Sequence, residues 1–322
     1  MQFPAELLNQ CWFLTGATAS GKTAVSLELA EMLDAEIIAL DSMTLYRKMD
    51  IGTAKPSVTE CMATPHHLFD VIDPWEEFSV AEYLKSAHQV AEEIVQRNKT
   101  PLFVGGAGLY LRSLLRGVFN GPAADWELRK KWETLAFTSG NQAVHDLLAQ
   151  CDPPAAARLH VNDLRRVIRA LEVFELTGIP LSAQQNQLPV EGIHKVFALM
   201  PARDWLAERI EQRLTQMVQQ GLVAENLRLM DLERSLSHTA RQALGYKEIL
   251  DWLETLRPEA RHPELSLPEA VFITMRDRTR QFAKRQETWF RNLKECRQFP
   301  IDPRDNPVTI ARQILNAAKI PQ

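Results

Sequence analysis

The segment "GATASGKT", Gly16 to Thr23, constrains the fold most, because it fits the pattern G-x-x-x-x-G-K-[ST] in full. It follows the apolar run "CWFLT" and precedes the helix-like run "AVSLELAEML". In such a strand–loop–helix unit, backbone N–H groups converge on phosphate oxygens and the helix N-terminus adds partial positive charge. Lys22 is then expected to neutralise phosphate, and Thr23 to hold Mg²⁺. The predicted phosphate-binding residues are Gly16, Ala17, Thr18, Ala19, Ser20, Gly21, Lys22 and Thr23.

Apolar strands alternate with helical segments through the first 120 residues. The runs "CWFLTG", "EIIAL" and "PLFVGG" read as strands, and Ser79 caps a helix with apolar residues at helical spacing. Residues 121–195 read as helices only, "HKVFALM" is a further strand, and a long helix follows up to Gly221. We therefore predict an α/β fold: a doubly wound parallel sheet around the phosphate-binding loop (residues 1–120 and 196–322), interrupted by a helical insertion domain at 121–195.

Composition narrows the class of protein and its compartment. Of the 322 residues, 45% are hydrophobic and 24% charged, as in a soluble globular protein, and no run approaches the roughly 18 apolar residues of a membrane helix. The first ten residues lack the order of a signal peptide. Four cysteines without a CxxC pair argue against a disulfide framework or a zinc site, and His66 and His67 have no partners spaced for a metal. We expect a cytoplasmic protein.

Charge is unevenly distributed along the chain. The net charge is -4, yet Arg276 to Arg297 contains eight Lys or Arg residues against three acidic ones. Arg276, Arg280 and Lys284 recur at intervals of four, which places them on one helical face. Such a stretch is either a solvated face or a nucleic-acid-binding surface, and the sequence pattern alone leaves both open.

Asp41, at the end of "EIIALD", is the acidic residue best placed to act with the phosphate-binding loop. A nucleotide hydrolase or kinase needs an acidic metal ligand at the end of a second strand, and a group-transfer enzyme needs a general base there. An aspartate at a strand end can also cap a turn. The pattern does not choose between these roles.

The segment "DSMTLYRKMDIGTAKPS" resembles the bacterial tRNA dimethylallyltransferases, also called tRNA isopentenyltransferases. The resemblance continues in family order through the blocks "HHLFDVIDP", "VGGAGLYLRSLLRG", "DPPAAARLHVNDLRRVIRALEVFELTG", "ARQALGYKEIL" and "RTRQFAKRQETWFR". It extends from about residue 14 to about residue 291, and each block is longer than a generic phosphate-loop match.

The resemblance implies transfer of a dimethylallyl group from dimethylallyl diphosphate to N6 of adenine 37 in tRNA, beside the anticodon. The loop then holds a leaving diphosphate with Mg²⁺, and no phosphoryl group is transferred. By the same resemblance, Asp41 is the general base, while Thr23 and Arg213 stabilise the departing diphosphate.

The resemblance also implies a set of contacts with the tRNA anticodon stem-loop. They are Asp41, Ser42, Met43, Thr44, Ala107, Arg129, Arg165, Arg166, Val167, Ile168, Arg169, Gln242, Ala243, Leu244, Gly245, Tyr246, Lys247, Lys284, Arg285, Gln286 and Arg291. The chain departs from the family pattern at Ala107, where threonine is usual, and at Trp126, where proline is usual. These departures weaken the predicted tRNA contacts at Ala107 and Arg129. We expect the protein to be a monomer.

Two other functions share parts of this pattern. A nucleoside or nucleotide kinase has the same loop and a helical lid, and it would turn over ATP without a prenyl donor. A non-catalytic RNA-binding protein that senses nucleotide through the loop would bind tRNA without forming a product.

Overall fold

The computed structural model describes residues 3–119, 121–184, 195–302 and 304–319. Within them the chain forms a parallel sheet of six strands. These are β1 (Trp12–Gly16), β2 (Ala35–Ala39), β3 (His66–His67), β4 (Thr100–Gly105), β5 (Lys195–Met200) and β6 (Arg297–Pro300). The four strands predicted from apolar runs are confirmed, and the two edge strands β3 and β6 were not predicted.

Helices connect and cover the strands. They are α1 (Ala5–Leu8), α2 (Lys22–Leu33), α3 (Val58–Ala63), α4 (Val80–Gln96), α5 (Gly108–Arg116), α6 (Trp126–Ser139), α7 (Asn141–Cys151), α8 (Pro153–Arg158), α9 (Leu164–Thr177), α10 (Leu181–Gln184), α11 (Arg203–Gln219), α12 (Leu222–Met230), α13 (His238–Arg241), α14 (Tyr246–Glu254), α15 (Glu269–Asn292) and α16 (Pro307–Ala318), with a short 3-10 helix at Pro258–Ala260. Ser79 caps α4 with Glu82 in a capping box, as its sequence predicts. The long helix α11 ends at Gln219, and Gly221, with φ of 97°, is the N-cap residue of α12.

The strand order is β3-β2-β4-β1-β5-β6, so β2 and β3 lie on one side of β1, β5 and β6 lie on the other, and β4 is inserted between β2 and β1. A parallel sheet of this kind binds ligands beyond the carboxyl ends of the strands, where the order reverses. Here β1 lies between β4 and β5, and the phosphate-binding loop follows β1 directly. The fold therefore places that loop at the reversal point.

Both faces of the sheet are covered by apolar packing. On one face, Trp12 and Leu14 of β1 pack in a cluster with α2 and α16. On the other face, Phe13 stacks on Phe103 at 4.9 Å, and Phe3 bridges from Phe103 to α4. Because both faces are buried, the four inner strands β1, β2, β4 and β5 are largely apolar runs rather than alternating ones.

The chain divides into two compact units, one formed by Phe3–Leu115 with Val190–Gln322 and the other containing Arg116–Pro189. The sequence pattern predicts an insertion with its bounds at 121 and 195. In the second unit, called here the insertion unit, the regular elements among the described residues 116–119 and 121–184 are all helices. Its core is built around Val144, Leu148 and Val167, each fully buried.

Candidate active site

The phosphate-binding loop runs from the end of β1 to the start of α2. Gly21, with φ of 90°, adopts the left-handed backbone that glycine accepts without strain, and it is the N-cap residue of α2. Ala19 is also left-handed, with φ of 63°. The Lys22 Nζ donates to the carbonyl oxygens of Gly16 at 3.1 Å and Ala17 at 2.7 Å. The lysine is thus held against the inner side of the loop, next to the amides that would receive phosphate.

Lys22 is partly buried, and its charge is destabilised there. Burial, reinforced by the nearby positive charge of Arg213, lowers the pKa of Lys22 to about 7, and the attraction of Asp41 only partly opposes this. An anion bound beside this lysine stabilises its charged form, so the interaction with Lys22 favours anion binding.

Asp41 follows β2 and faces the same loop. Its Oδ1 accepts the backbone N–H of Met43 at 2.8 Å. Burial raises the pKa of Asp41 above its ordinary value, although the Met43 N–H, Lys22, the Thr44 N–H and Arg213 each favour the carboxylate. A carboxyl with a raised pKa beside two cations has the properties of a general base that must take up a proton.

Arg213, from α11, completes the group of charges around the loop. Burial lowers its pKa, and so does the neighbouring positive charge of Arg209, while Asp41 raises it. Arg209 lies one helical turn earlier; its Nε donates to the carbonyl of Ala19 at 3.3 Å, and its guanidinium stacks over Trp205 at 4.9 Å. Arg209 was not predicted from the sequence, although its spacing of four residues from Arg213 could have indicated it.

Lys22, Arg209 and Arg213 together bring more positive charge to the loop than Asp41 neutralises. Excess positive charge beside convergent backbone amides is suited to a ligand with several negative charges. The arrangement can therefore bind a diphosphate, stabilise it as it leaves, and accept a proton at Asp41.

The loops after β2 and β4 meet at this edge of the sheet. The Ala107 N–H donates to the Leu40 carbonyl at 3.0 Å, directly before Asp41. Ser42 and Met43 are partly exposed, whereas Thr44 is buried. Asp41, Ser42, Met43 and Ala107, which the sequence analysis assigned to tRNA contact, thus lie on neighbouring loops.

The predicted tRNA residues on α15 differ in their environments. Lys284 and Arg285 are exposed, and Arg291 is exposed with Glu287 at 3.6 Å. Gln286, by contrast, is 7% exposed and points inward. On α15, the exposed charges of Lys284 and Arg285 are therefore directly followed by the buried polar side chain of Gln286.

The predicted segment from Gln242 to Lys247 is largely internal. Gln242 is exposed, but Ala243 and Tyr246 are buried, and Lys247 pairs with Asp251 at 2.7 Å. The Tyr246 hydroxyl donates to Glu225 at 2.6 Å. Leu244 and Lys247 are partly exposed, and Gly245 is buried.

Within the insertion unit, most of the predicted contacts also have internal partners. Arg129 makes two hydrogen bonds of 2.9 Å to the fully buried carboxylate of Glu172, and Arg169 pairs with the same carboxylate. The side chains of Val167 and Ile168 lie in the core of the unit. Arg165 and Arg166 are exposed, and Arg166 has Asp163 at 3.3 Å. The exposed basic groups on α9 are therefore Arg165 and Arg166.

No group of three or more His, Cys, Asp or Glu residues is arranged to hold a metal ion in the described part of the chain. His67 instead contacts Glu36 at 2.6 Å, and His66 contacts the Thr64 carbonyl. Thr23 is exposed at the start of α2, beside the loop. In loops of this motif the Ser or Thr hydroxyl binds Mg²⁺ together with substrate phosphates and waters, and the position of Thr23 fits that mode.

Among the residues described, none of the helices is both long and apolar enough to cross a membrane.

The fold and the site define a class: an α/β protein with a phosphate-binding loop, a neighbouring carboxylate and clustered cations. A family model described as IPP transferase matches residues 44–293, and one described as isopentenyl transferase matches residues 9–70. The chain belongs to the IPP transferase family and is an enzyme of the transferase class.

Individual relatives agree with the family match. The chain is 44% identical to a tRNA dimethylallyltransferase of Rhodopirellula baltica, covering 91% of this chain and 88% of the relative. It is 41% identical to one from Alkaliphilus oremlandii, covering 95% and 96%. The solved tRNA isopentenylpyrophosphate transferase of Bacillus halodurans is 38% identical, with a TM-score of 0.66 and 97% coverage of each chain. A solved eukaryotic dimethylallyltransferase acting on tRNA is 26% identical, with a TM-score of 0.70, covering 90% of this chain and 73% of that one.

Proposed function

We propose that the protein transfers a dimethylallyl group from dimethylallyl diphosphate to N6 of adenine 37 in tRNA and releases diphosphate. One observation carries the proposal: Asp41, which follows β2, is close enough to Lys22 and Arg213 to interact electrostatically with both. The Lys22 Nζ is itself held in the loop by the carbonyl oxygens of Gly16 and Ala17. This arrangement supports a proton acceptor next to a diphosphate site. The names of the relatives support both the tRNA substrate and the prenyl transfer.

The reaction balances with the residues of this site. The N6–C1 bond forms between adenine and the allyl group, and the C1–O bond to diphosphate breaks, its electron pair leaving with the diphosphate. The N6 proton goes to Asp41. The allyl carbon becomes cation-like as the C–O bond lengthens, so stabilising the departing negative charge lowers the barrier.

Each cation has a separate task in this proposal. Lys22 and the loop amides receive the diphosphate, and Arg213, adjacent to Asp41, stabilises charge as it develops. Thr23 would hold Mg²⁺, which supplies further neutralisation of the diphosphate when bound. Adenine 37 must be unstacked from its neighbours for N6 to reach the site, as enzymes acting on a single base generally require.

The test is a direct assay of product. The protein is incubated with radiolabelled dimethylallyl diphosphate, Mg²⁺ and an anticodon stem-loop that carries adenine 37. Label in RNA, a mass gain of C5H8 on that adenosine and release of diphosphate are expected. The same stem-loop with guanine at position 37 is the matched control and should remain unlabelled.

Two results would overturn the proposal. Turnover of ATP with a small-molecule acceptor, and no label in RNA, would indicate a kinase. Binding of the stem-loop without product under any donor concentration would indicate a non-catalytic RNA-binding protein. We also propose that the enzyme acts as a monomer in the cytoplasm, which sedimentation of the active protein and cell fractionation can check.

A further inference from the structure

Gln286 uses both ends of its side-chain amide in the interior of the protein. Its Oε1 accepts the backbone N–H of Thr18 at 2.8 Å, and its Nε2 donates to the carbonyl of Gly106 at 2.9 Å. Because a backbone N–H can only donate and a carbonyl can only accept, the two partners fix the orientation of the amide. One side chain of α15 thus joins the phosphate-binding loop to the loop after β4, and Thr18 lies 268 positions away in the sequence.

The helix α15 lies directly against the backbone of the loop after β4. A Cβ atom at Gly106 would lie 2.2 Å from the Gln286 Nε2, and one at Gly108 would lie 2.4 Å from the Trp289 Cδ1. Both glycines are therefore required for this close approach. The contact leaves little free space, so a displacement of α15 must displace the loop as well.

The loop after β4 is in turn fixed to the end of β2. A Cβ atom at Gly105 would lie 2.0 Å from the Leu40 carbonyl oxygen, and the Ala107 N–H donates to that same oxygen. Leu40 immediately precedes Asp41. Contacts therefore lead from α15 to the phosphate-binding loop in one direction, and through the loop after β4 to the general base in the other.

The residues just before Gln286 face outward. Lys284 and Arg285 are exposed, and Arg285 lies over the Phe282 ring at 5.9 Å. Since these residues share a turn of rigid helix with Gln286, a polyanion bound to the exposed charges acts on the same segment that holds Thr18.

We propose that Gln286 is a positioning residue that couples RNA binding on α15 to diphosphate binding in the loop. The inference rests on the proposed function. Gln286 does not contact diphosphate itself; it fixes the Thr18 end of the loop so that the following amides converge on phosphate. RNA that restrains α15 stabilises this arrangement, and by reciprocity diphosphate then tightens the binding of RNA by the same factor.

The experiment measures the affinity for inorganic pyrophosphate with and without saturating anticodon stem-loop. In the natural protein the stem-loop should tighten pyrophosphate binding by about fivefold or more, within the range typical of coupled sites. Gln286→Met keeps the length of the side chain and removes both hydrogen bonds, so the factor should fall to about one. Gln281→Met, an exposed position on the same helix, is the matched control and should retain the natural factor.

A second variant keeps the test decisive if Gln286→Met does not fold. Gln286→Glu keeps an acceptor for the Thr18 N–H and places an oxygen against the Gly106 carbonyl, so coupling should again fall while thermal unfolding shows a folded protein. Folded variants that keep the natural coupling factor would overturn the inference. A merely structural role, which would lower the thermal midpoint and weaken both ligands without changing the factor, would overturn it equally.

The proposed function fails separately from this inference. If the natural protein forms no prenylated RNA, the proposed function is overturned, whatever coupling factor the pyrophosphate titration gives. If the natural protein is active and coupled while folded Gln286→Met is equally coupled, only the inference is overturned.

Discussion

At the scale of single residues, Asp41 is the group whose replacement separates chemistry from binding. Asp41→Asn keeps the shape of the side chain but cannot take the N6 proton, so kcat should fall by about 10² to 10⁴. Pyrophosphate should bind at least as tightly, because the variant removes the negative charge that faces Lys22 and Arg213. Single-turnover prenylation and pyrophosphate titration measure the two effects.

The pH dependence of this variant provides a second comparison. The raised pKa of Asp41 means that the natural rate should fall as pH drops through that pKa, whereas the variant should lack this acid limb. Asp231→Asn, an exposed aspartate at the end of α12, is the control and should behave as the natural protein does. A variant at Asp41 with near-natural turnover would return that residue to a turn or metal role.

Lys22 predicts a pH dependence of anion binding. Its pKa of about 7 is below the ordinary lysine value, so the free loop carries this charge below pH 7 and loses it as pH rises. The dissociation constant for pyrophosphate should therefore increase above pH 7, by up to about tenfold per pH unit, since binding must then recover a proton. Titration calorimetry in buffers of different ionisation enthalpy measures this proton uptake.

Lys22→Met serves as the reference for that measurement. Pyrophosphate changes its own protonation with pH in the same way in both experiments. The difference between the two pH profiles of the dissociation constant is therefore the contribution of Lys22. The variant should bind weakly at every pH and lack the extra slope. Parallel profiles would mean that Lys22 stays charged in the free loop.

The sequence revealed the site residues that belong to contiguous motifs and missed those that meet only in space. Lys22 belongs to the motif G-x-x-x-x-G-K-[ST], and Asp41 directly follows an apolar strand, so both residues could be predicted from the sequence. Gln286 was assigned to tRNA contact by the family resemblance, but its side chain is directed into the protein. Its hydrogen bond to Thr18 has no sequence periodicity that could reveal it.

At the scale of secondary-structure elements, α15 predicts a salt-dependent affinity for RNA. Lys284 and Arg285 are exposed, whereas Arg280 pairs with Glu211 at 3.0 Å. Lys284→Ala with Arg285→Ala should therefore reduce the slope of log affinity against log salt by about 1.4 to 1.8, the counterion release of two phosphate contacts. Adding Arg280→Ala should change the slope less, because Glu211 already balances its charge.

The control for this experiment removes the same charge elsewhere. Arg312→Ala with Lys319→Ala alters two exposed residues of the C-terminal helix region and should leave the slope unchanged. Equal slopes for the α15 variant, the control and the natural protein would mean that the basic face of α15 is only a solvated surface.

Strands could be predicted from the sequence where burial on both faces of the sheet requires a run of apolar residues. The strands β1, β2, β4 and β5 are buried on both faces and read as apolar runs, so they were found. The edge strand β3 has two residues, and β6 is the partly exposed "RQFP", which ends in proline. Short edge strands lack the apolar run by which central strands are recognised.

At the scale of the whole molecule, widely separated blocks of sequence meet on shared carboxylates. The fully internal carboxylate of Glu225 accepts the backbone N–H groups of Asp50, Ile51 and Gly52 together with the Tyr246 hydroxyl. The block "MDIGTAKP" and the block "ALGYKEIL" are therefore parts of one packed structure. Their positions in the sequence indicated a family, but only the fold shows that Glu225 joins them.

The division into two compact units predicts how a ligand stabilises the molecule. Every phosphate-loop residue, Asp41 and Arg213 belong to the unit formed by Phe3–Leu115 and Val190–Gln322. Pyrophosphate at 100 times its dissociation constant should therefore stabilise that unit by about 2.7 kcal/mol, through binding to its folded state alone. Hydrogen exchange at single-peptide resolution measures this as slower exchange of the buried amides of β1 and β4.

Amides of α7 and α9, which open by unfolding of the insertion unit, should exchange at an unchanged rate. Lys22→Met at the same pyrophosphate concentration is the control and should show little slowing in either unit. Equal protection of α7, α9, β1 and β4 by pyrophosphate would contradict this independence and mean that the two units unfold in a single step.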